Sequence, residues 1–389
     1  MCIRDRGWAI LREYWPVGAV SVGVALAVTP ICRAAALRWK FVDRPDDFLK
    51  PHGRPIPYLG GVAICAGWLS GIAAALWIDP AGVRPGLMLG IALAGLATML
   101  VGLFDDLRVM PATVKLVCNV LVAAMLLFLG LGDDIIQVTL AVTGSRISPG
   151  ERWLELAYSV PITVIIVVGA SNATNVIDGL DGLCAGVLGI ISVGFLILAC
   201  HLRGYLDSPV ATERVVLALA MLGGAAGFLP YNLNPARIFM GDAGSMLLGL
   251  NAAVLLLLFA EEQKIRWMMG AIMVFGLPVG DMFLAMVRRW RNGRPLMQGD
   301  RSHFYDQLVD RGLTVRQTVA LSYALATFMV AVGVSVIVVR TRYSFLVFGL
   351  AVALLWALAW KFNMAGIEPD RRAGGPGDRP EGSRKEVGA

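Results

Sequence analysis

The chain has 389 residues, 57% of them hydrophobic and 16% charged, with a mean hydropathy of +0.69, where soluble domains run at roughly 45–50% apolar and about 25% charged. That balance excludes an ordinary soluble enzyme and points to an integral membrane protein. The formal net charge of +6 is better understood from where Lys and Arg fall than as a nucleic-acid surface, and no nucleic-acid partner is expected.

A hydrocarbon core about 30 Å thick takes roughly 20 apolar residues in helical form, and about eleven such runs can be read along the chain. They span residues 16–37, 58–78, 86–104, 112–131, 156–170, 183–201, 215–230, 245–260, 267–287, 319–339 and 344–361. The expected fold is an all-α integral membrane protein of about 11 transmembrane helices, with the active site formed by cytoplasmic loops and helix ends. Residues 1–361 form one polytopic domain, because no connecting segment is long enough to hold a soluble one. The tail at 362–389 switches to Gly, Pro and mixed charge, a composition that cannot bury enough apolar surface to fold, and is expected to be disordered. Residues 1–6 look detached from the pattern, and whether they belong to the native start is left open by the sequence; no signal-peptide signature follows them. The six cysteines have no C-x-x-C spacing and read as apolar packing residues.

Basic residues set the orientation. The segment between the first two runs carries Arg38, Lys40, Arg44, Lys50 and Arg54, and the one after the ninth run carries Arg288, Arg289, Arg291, Arg294, Arg301, Arg311 and Arg316. Both are cytoplasmic by the positive-inside rule, and by parity so are the loops after every odd-numbered run and the C-terminal tail. The segments dense in carboxylates, amides and Gly, at 43–61, 105–115, 171–182, 231–245 and 288–316, all follow odd-numbered runs. One composite cytoplasmic site is the expectation, with nothing comparable on the outer face. The outward segment 132–155 reads as a solvated linker.

The chemistry follows from the residue types. Asp105 and Asp106 end the third run, with Lys115 opening the fourth; adjacent carboxylates bind a hard cation or keep one proton for transfer. Asn172, Asn175, Asp178 and Asp181 recur at three-residue steps, which in a helix keeps much of the set on one side. Amide and carboxylate oxygens suit Mg²⁺, which shares its shell with water and phosphate. Asp242, between two glycines, opens a hydrophobic helix whose free N–H groups would attract phosphate. Asn232 reads as a contact to a base or sugar, Phe239 as a stacking surface, and Arg301 and His303 as holders of a diphosphate. Carboxylate-bound Mg²⁺ with Lys and Arg is the usual equipment for phosphoryl transfer. Asp281, inside the ninth run, must face the bundle interior, either at the inner site or in a structural pair. His201 reads as an interfacial residue at the outward end of its run.

Four segments resemble, in order and in membrane position, the polyprenyl-phosphate N-acetylhexosamine-1-phosphate transferases. They are Asp43-Arg-Pro-Asp-Asp-Phe-Leu-Lys-Pro-His with the following Pro57-Tyr-Leu-Gly-Gly61; Asp105-Asp106 with Lys115; Asn172-x-x-Asn-x-x-Asp-Gly-x-Asp-Gly-Leu183; and Phe228-Leu-x-x-Asn-x-x-Pro-Ala-x-x-Phe-Met-Gly-Asp-x-Gly-Ser245. Two departures stand out. Leu49 occupies a position where the family usually has Arg, leaving Lys50 and His52 to that loop, and the late histidine-rich motif is reduced to Arg301-Ser-His303-Phe-Tyr-Asp-Gln307.

The resemblance implies transfer of N-acetylhexosamine 1-phosphate, GlcNAc-1-phosphate first, from a UDP-sugar to undecaprenyl phosphate, releasing UMP and initiating a cell-envelope polysaccharide such as O-antigen. It implies Mg²⁺, with Mn²⁺ as a substitute, held by Asp242 and Asn175. Asp105 or Asp106 would orient or deprotonate the attacking lipid phosphate. Lys115, Arg301 and His303 would bind phosphates, with Lys50 and His52 beside the substrate. Asn232, Phe239, Asp178 and Asp181 would contact the uridine or support the metal shell, and Asn172 belongs to the same substrate-binding motif. The expected location is the bacterial plasma membrane, with a homodimer as an open alternative to the monomer. Other donors (UDP-QuiNAc, UDP-FucNAc, UDP-MurNAc-pentapeptide) are the alternatives, the last disfavoured because its extended histidine loop is missing, and the rival class is a cation-coupled transporter, whose helices are also broken by polar clusters. A phosphotransferase for CDP-alcohols is disfavoured because its compact carboxylate spacing is missing.

Overall fold

The computed structural model describes residues 3–43, 55–133, 135–143, 152–205, 210–262, 264–295 and 303–366. Lys50, His52, Arg301 and the tail from residue 367 lie outside them.

Helices α1 (Ile3–Trp39), α2 (Gly60–Ile78), α3 (Pro85–Leu107) and α4 (Ala112–Phe128) come first, then a short α5 (Ile135–Thr143). They are followed by α6 (Arg152–Val176), α7 (Leu183–Tyr205), α8 (Ala211–Asn232) and α9 (Gly241–Ala260). The last group is α10 (Ile265–Val274), α11 (Gly276–Arg291), α12 (Phe304–Asp310), α13 (Val315–Val338) and α14 (Thr341–Lys361). Among the described residues, 9 helices are long and apolar enough to cross a bilayer, and the α10–α11 pair makes a tenth if taken as one span. With α4, at 17 residues just short of that length, each of the eleven hydrophobic runs has its helix. The protein is an all-α integral membrane protein.

Three details differ from the sequence reading. The ninth run is broken at Phe275, where α10 and α11 meet at 74°. Pro278, in the first turn of α11, has no N–H to continue the ladder of α10 and its ring would collide with the carbonyl one turn back. Segment 132–155 is not simply a solvated linker: α5 lies within it, and Ile135, Ile136 and Val138 are buried because Ile-Ile-x-Val gives a short apolar helical face. And α1 extends back to Ile3, so residues 3–6 continue the first span.

At the centre stands α9, fully enclosed by its neighbours. It carries no charge between Asp242 and Glu261, and a helix apolar on every side belongs in the interior. Flanking α9 are α3 and α6; α1, α2, α7 and α8 pack as a second group, and α14 lies at the periphery, mostly exposed along its length. One end of the bundle gathers the C-terminal ends of α1, α3, α6 and α8 and the N-terminal ends of α2, α4, α7 and α9. The opposite end holds a set of charge pairs that the sequence reading did not single out. There Glu213 accepts from the backbone N–H and Nε of Arg84 at 3.0 and 3.1 Å. Fully buried Arg214 pairs with Glu262 at 2.7 Å, and the Tyr14 hydroxyl donates to Asp79 at 2.7 Å. These charges are paired with one another.

Candidate active site

The start of α9 organises the site. Gly241 sits at φ +67°, a left-handed conformation open to glycine, and the chain turns there so that Asp242 begins the helix. A carboxylate from α3 caps that helix: Asp106 accepts from the Asp242 N–H at 2.8 Å and the Ala243 N–H at 3.1 Å. Negative charge at a helix N-terminus is favourable, and these N–H groups would otherwise be orphans. The N–H groups that the sequence reading offered to a phosphate are therefore taken by Asp106. Contact between α3 and α9 is backbone-close, since a Cβ on Gly102 would fall 2.5 Å from the Asp242 carbonyl.

Its neighbour Asp105 points elsewhere. One oxygen accepts from the Met110 N–H at 2.6 Å and the other from Lys115 Nζ at 3.0 Å, which ties the end of α3 to the start of α4. Lys115 also donates to Asp242, so a single ammonium joins carboxylates from α3 and α9. From α6, Asn175 Nδ2 donates to the other Asp242 oxygen at 2.6 Å and to Ser245 Oγ at 3.1 Å. Asp105, Lys115, Asn175 and Asp242 thus converge from four helices.

Around this centre lie the remaining candidates. Asp178, in the turn after α6, donates its backbone N–H to the Asn175 carbonyl at 3.3 Å, while its carboxylate has no hydrogen-bond partner among the described residues. Burial, reinforced by the negative charge of Asp242, Asp106 and Asp181, pushes its carboxyl well above the usual carboxylate range. Asp181 accepts from Asn234 Nδ2 at 3.0 Å and the Ala236 N–H at 2.9 Å. Buried Asn232 accepts from the Gly182 N–H and donates to the Ile238 carbonyl, both at 3.0 Å, so the geometry gives it the work of joining the two loops. Asn172 donates to Val168 O of its own helix at 2.7 Å.

Phe239 packs beside Tyr58, ring centroids 6.4 Å apart. Its backbone clamps the base of segment 44–54, which carries Lys50 and His52. Strand β1 (Val42–Asp43) pairs antiparallel with β2 (Ile56–Pro57) across that segment. The Phe239 N–H donates to Pro57 O at 2.9 Å and its carbonyl accepts from the Gly60 N–H at 3.0 Å.

His303 caps α12 and is buried, its Nδ1 3.0 Å from Asp281, which also accepts from the Phe304 N–H at 2.8 Å. Asp281 is therefore a structural partner that orients the imidazole. Tyr305 stacks on His303 with centroids 5.7 Å apart, donates to Val176 O at 2.8 Å, and lies against Gly179. That contact brings the α12 segment against the turn bearing Asp178. Sequence reasoning assigned no role to Ser245, Tyr305 or Gly102; the first two lay inside quoted motifs, while nothing in the sequence marked Gly102.

The donor set suits one divalent cation. Among the described residues no three His, Cys, Asp or Glu side chains converge, which argues against a closed all-protein cage. Mg²⁺ asks for less: one or two carboxylates, with water and phosphate completing its octahedron. Asp105 and Asp242 already direct oxygens at a common cation, the Lys115 ammonium.

Fold and site together define a polytopic membrane protein whose carboxylates, amide and lysine meet at one end of the bundle, an arrangement suited to holding a cation and phosphate. The profile of glycosyl transferase family 4 matches residues 88–260, which include every member of the central constellation. The probable undecaprenyl-phosphate N-acetylglucosaminyl 1-phosphate transferase of Bacillus subtilis is 32% identical over 310 residues, 79% of this chain and 80% of that protein. The decaprenyl-phosphate N-acetylglucosaminephosphotransferase of Mycolicibacterium smegmatis is 30% identical over 382 residues, 91% and 90% of the two chains. A phospho-N-acetylmuramoyl-pentapeptide-transferase of Chlamydia trachomatis is 38% identical over a shorter stretch of 133 residues, 34% of this chain and 38% of that one. The chain belongs to glycosyl transferase family 4, among the polyprenyl-phosphate N-acetylhexosamine-1-phosphate transferases.

Proposed function

We propose that the protein transfers GlcNAc 1-phosphate from UDP-GlcNAc to undecaprenyl phosphate in a bacterial plasma membrane, with its site on the cytoplasmic face. The observation that carries this reading is the convergence of Asp105, Lys115, Asn175 and Asp242 where four helices end. The names of the Bacillus and Mycolicibacterium relatives favour an N-acetylglucosamine donor. An acceptor oxygen on the lipid phosphate attacks the β-phosphorus of the donor, the bond to the bridging oxygen breaks, and UMP leaves. A phosphate monoester has its second pKa near 6, so the acceptor is largely ionised at neutral pH and needs positioning more than deprotonation.

Asp242 and Asn175 would hold Mg²⁺, with Asp105 beside them, Asn175 turning its amide oxygen inward; the ion would supply charge stabilisation for the departing UMP. Lys115 holds the two carboxylates in register and offers its ammonium to incoming phosphate. Asp106 fixes the first turn of α9 and so the backbone of Asp242. Asp178 and Asp181 flank the donor, His303 and Tyr305 close the side formed by α12, and Lys50, His52 and Arg301 supply further phosphate contacts.

The test is UMP release by purified protein with undecaprenyl phosphate and Mg²⁺, comparing UDP-GlcNAc with UDP-GalNAc, UDP-QuiNAc and UDP-MurNAc-pentapeptide. Release that requires lipid and metal and vanishes in Asp242→Ala is expected, fastest with UDP-GlcNAc. Preference for another donor overturns the sugar, and no release with any donor overturns the reaction.

A further inference from the structure

On α4, residues Lys115, Asn119, Val122 and Leu126 fall at i, i+4, i+7 and i+11, one face of the helix. Asn119, Val122 and Leu126 are buried, and the helix packs on α3 and α6, which bring Asp105 and Asn175 to the site. Asn119 is 2% exposed, and its amide has no hydrogen-bond partner among the described residues. Amides left unpaired within an apolar span are costly, and polar groups there mark functional positions. The contrast with Asn251 is instructive: that buried amide accepts from Trp68 Nε1 at 3.1 Å and donates to Leu217 O at 3.3 Å.

Asn119 is also placed for one kind of ligand. Helix α4 starts at the site and runs away from it into the bilayer, so one turn past Lys115 is about 6 Å deeper. The outward face of this stretch is apolar and exposed, with Val117, Val120 and Leu121 facing lipid. A nucleotide has no reason to reach that depth; a phosphate carried on a hydrocarbon chain arrives through it.

We propose that Asn119 is a positioning residue for the membrane acceptor, donating its side-chain amide to an oxygen of the polyprenyl phosphate. The proposal rests on the transferase reading above and adds to it the residue that seats the acceptor. A neutral donor suits this place, because the Lys115 ammonium is already shared between Asp105 and Asp242.

The experiment compares wild type with Asn119→Leu, near in size without the donor, and Asn119→Gln, which keeps it. KM is measured separately for undecaprenyl phosphate and UDP-GlcNAc, and retention of undecaprenyl phosphate is measured independently by native mass spectrometry. Loss of a hydrogen bond to a charged group predicts about a tenfold or larger rise in acceptor KM for Asn119→Leu, with donor KM unchanged, weaker lipid retention, and recovery in Asn119→Gln. Equal shifts in both KM values, or unchanged lipid retention, overturn the proposal. If wild type releases no UMP the transferase reading fails by itself, and the lipid-retention comparison still decides the role of Asn119.

Discussion

At the scale of single residues, Lys115 is the most consequential side chain of the site, because it joins carboxylates from two helices. Replacing it with Met leaves Asp105 and Asp242 facing each other without a cation. Partly desolvated like charges at such range repel strongly. Lys115→Met is expected to lower kcat/KM for UMP release by about 10²-fold or more, and excess Mg²⁺ should restore little if the ammonium also meets phosphate. Legibility in the sequence was uneven at this scale. Residue types marked Asp105, Lys115, Asn175 and Asp242 as candidates, which the structure brings together, because polar side chains beside hydrocarbon need a reason to be there. Types could not separate Asp105 from Asp106, which adjoin in sequence yet serve different partners, nor show that Asn232 binds backbone at both ends of its amide. Those distinctions depend on which direction a helix end faces, and one sequence carries no signal for it.

Among the elements, the spans themselves were legible, since length and hydropathy are set by the bilayer. The 74° break between α10 and α11 was marked by Gly276 and Pro278, though the run reads as continuous by hydropathy. Helix α5 was hidden by its shortness. The packing of α3 on α9 was not legible at all, because it rests on a glycine with no side chain to advertise it. Gly102→Ala would set a Cβ 2.5 Å from the Asp242 carbonyl, and a backbone atom on the innermost helix has little room to yield. The expected result is a lower thermal midpoint together with reduced kcat, while KM for the donor changes little. A variant with wild-type kcat would show that α9 tolerates displacement at its first turn.

Across the whole molecule, the parity of the spans matches the gathering of the described parts of the polar segments at one end but gave no hint of the charge network at the other. Glu213 and Arg214 are adjacent in sequence and were submerged in the count of weakly charged outward loops. Glu213→Leu removes the acceptor for both Arg84 donors while leaving the active site untouched at the far end of α9. Thermal unfolding in detergent should show a fall in midpoint with both KM values within about twofold of wild type, as independent distant sites behave additively; a change in donor KM would mean that the two ends are coupled.

That paired network has a further meaning for traffic. Glu213 and Arg214, both fully buried, are held to Arg84 and Glu262, and Arg214 lies over the Phe259 ring, 5.3 Å from its centroid, so an opening at this end would have to break those charge pairs. If the protein catalyses the transfer proposed above, both products would leave as the substrates came: the spent nucleotide to the water beside the polar centre, and the enlarged lipid to the leaflet that delivered its precursor.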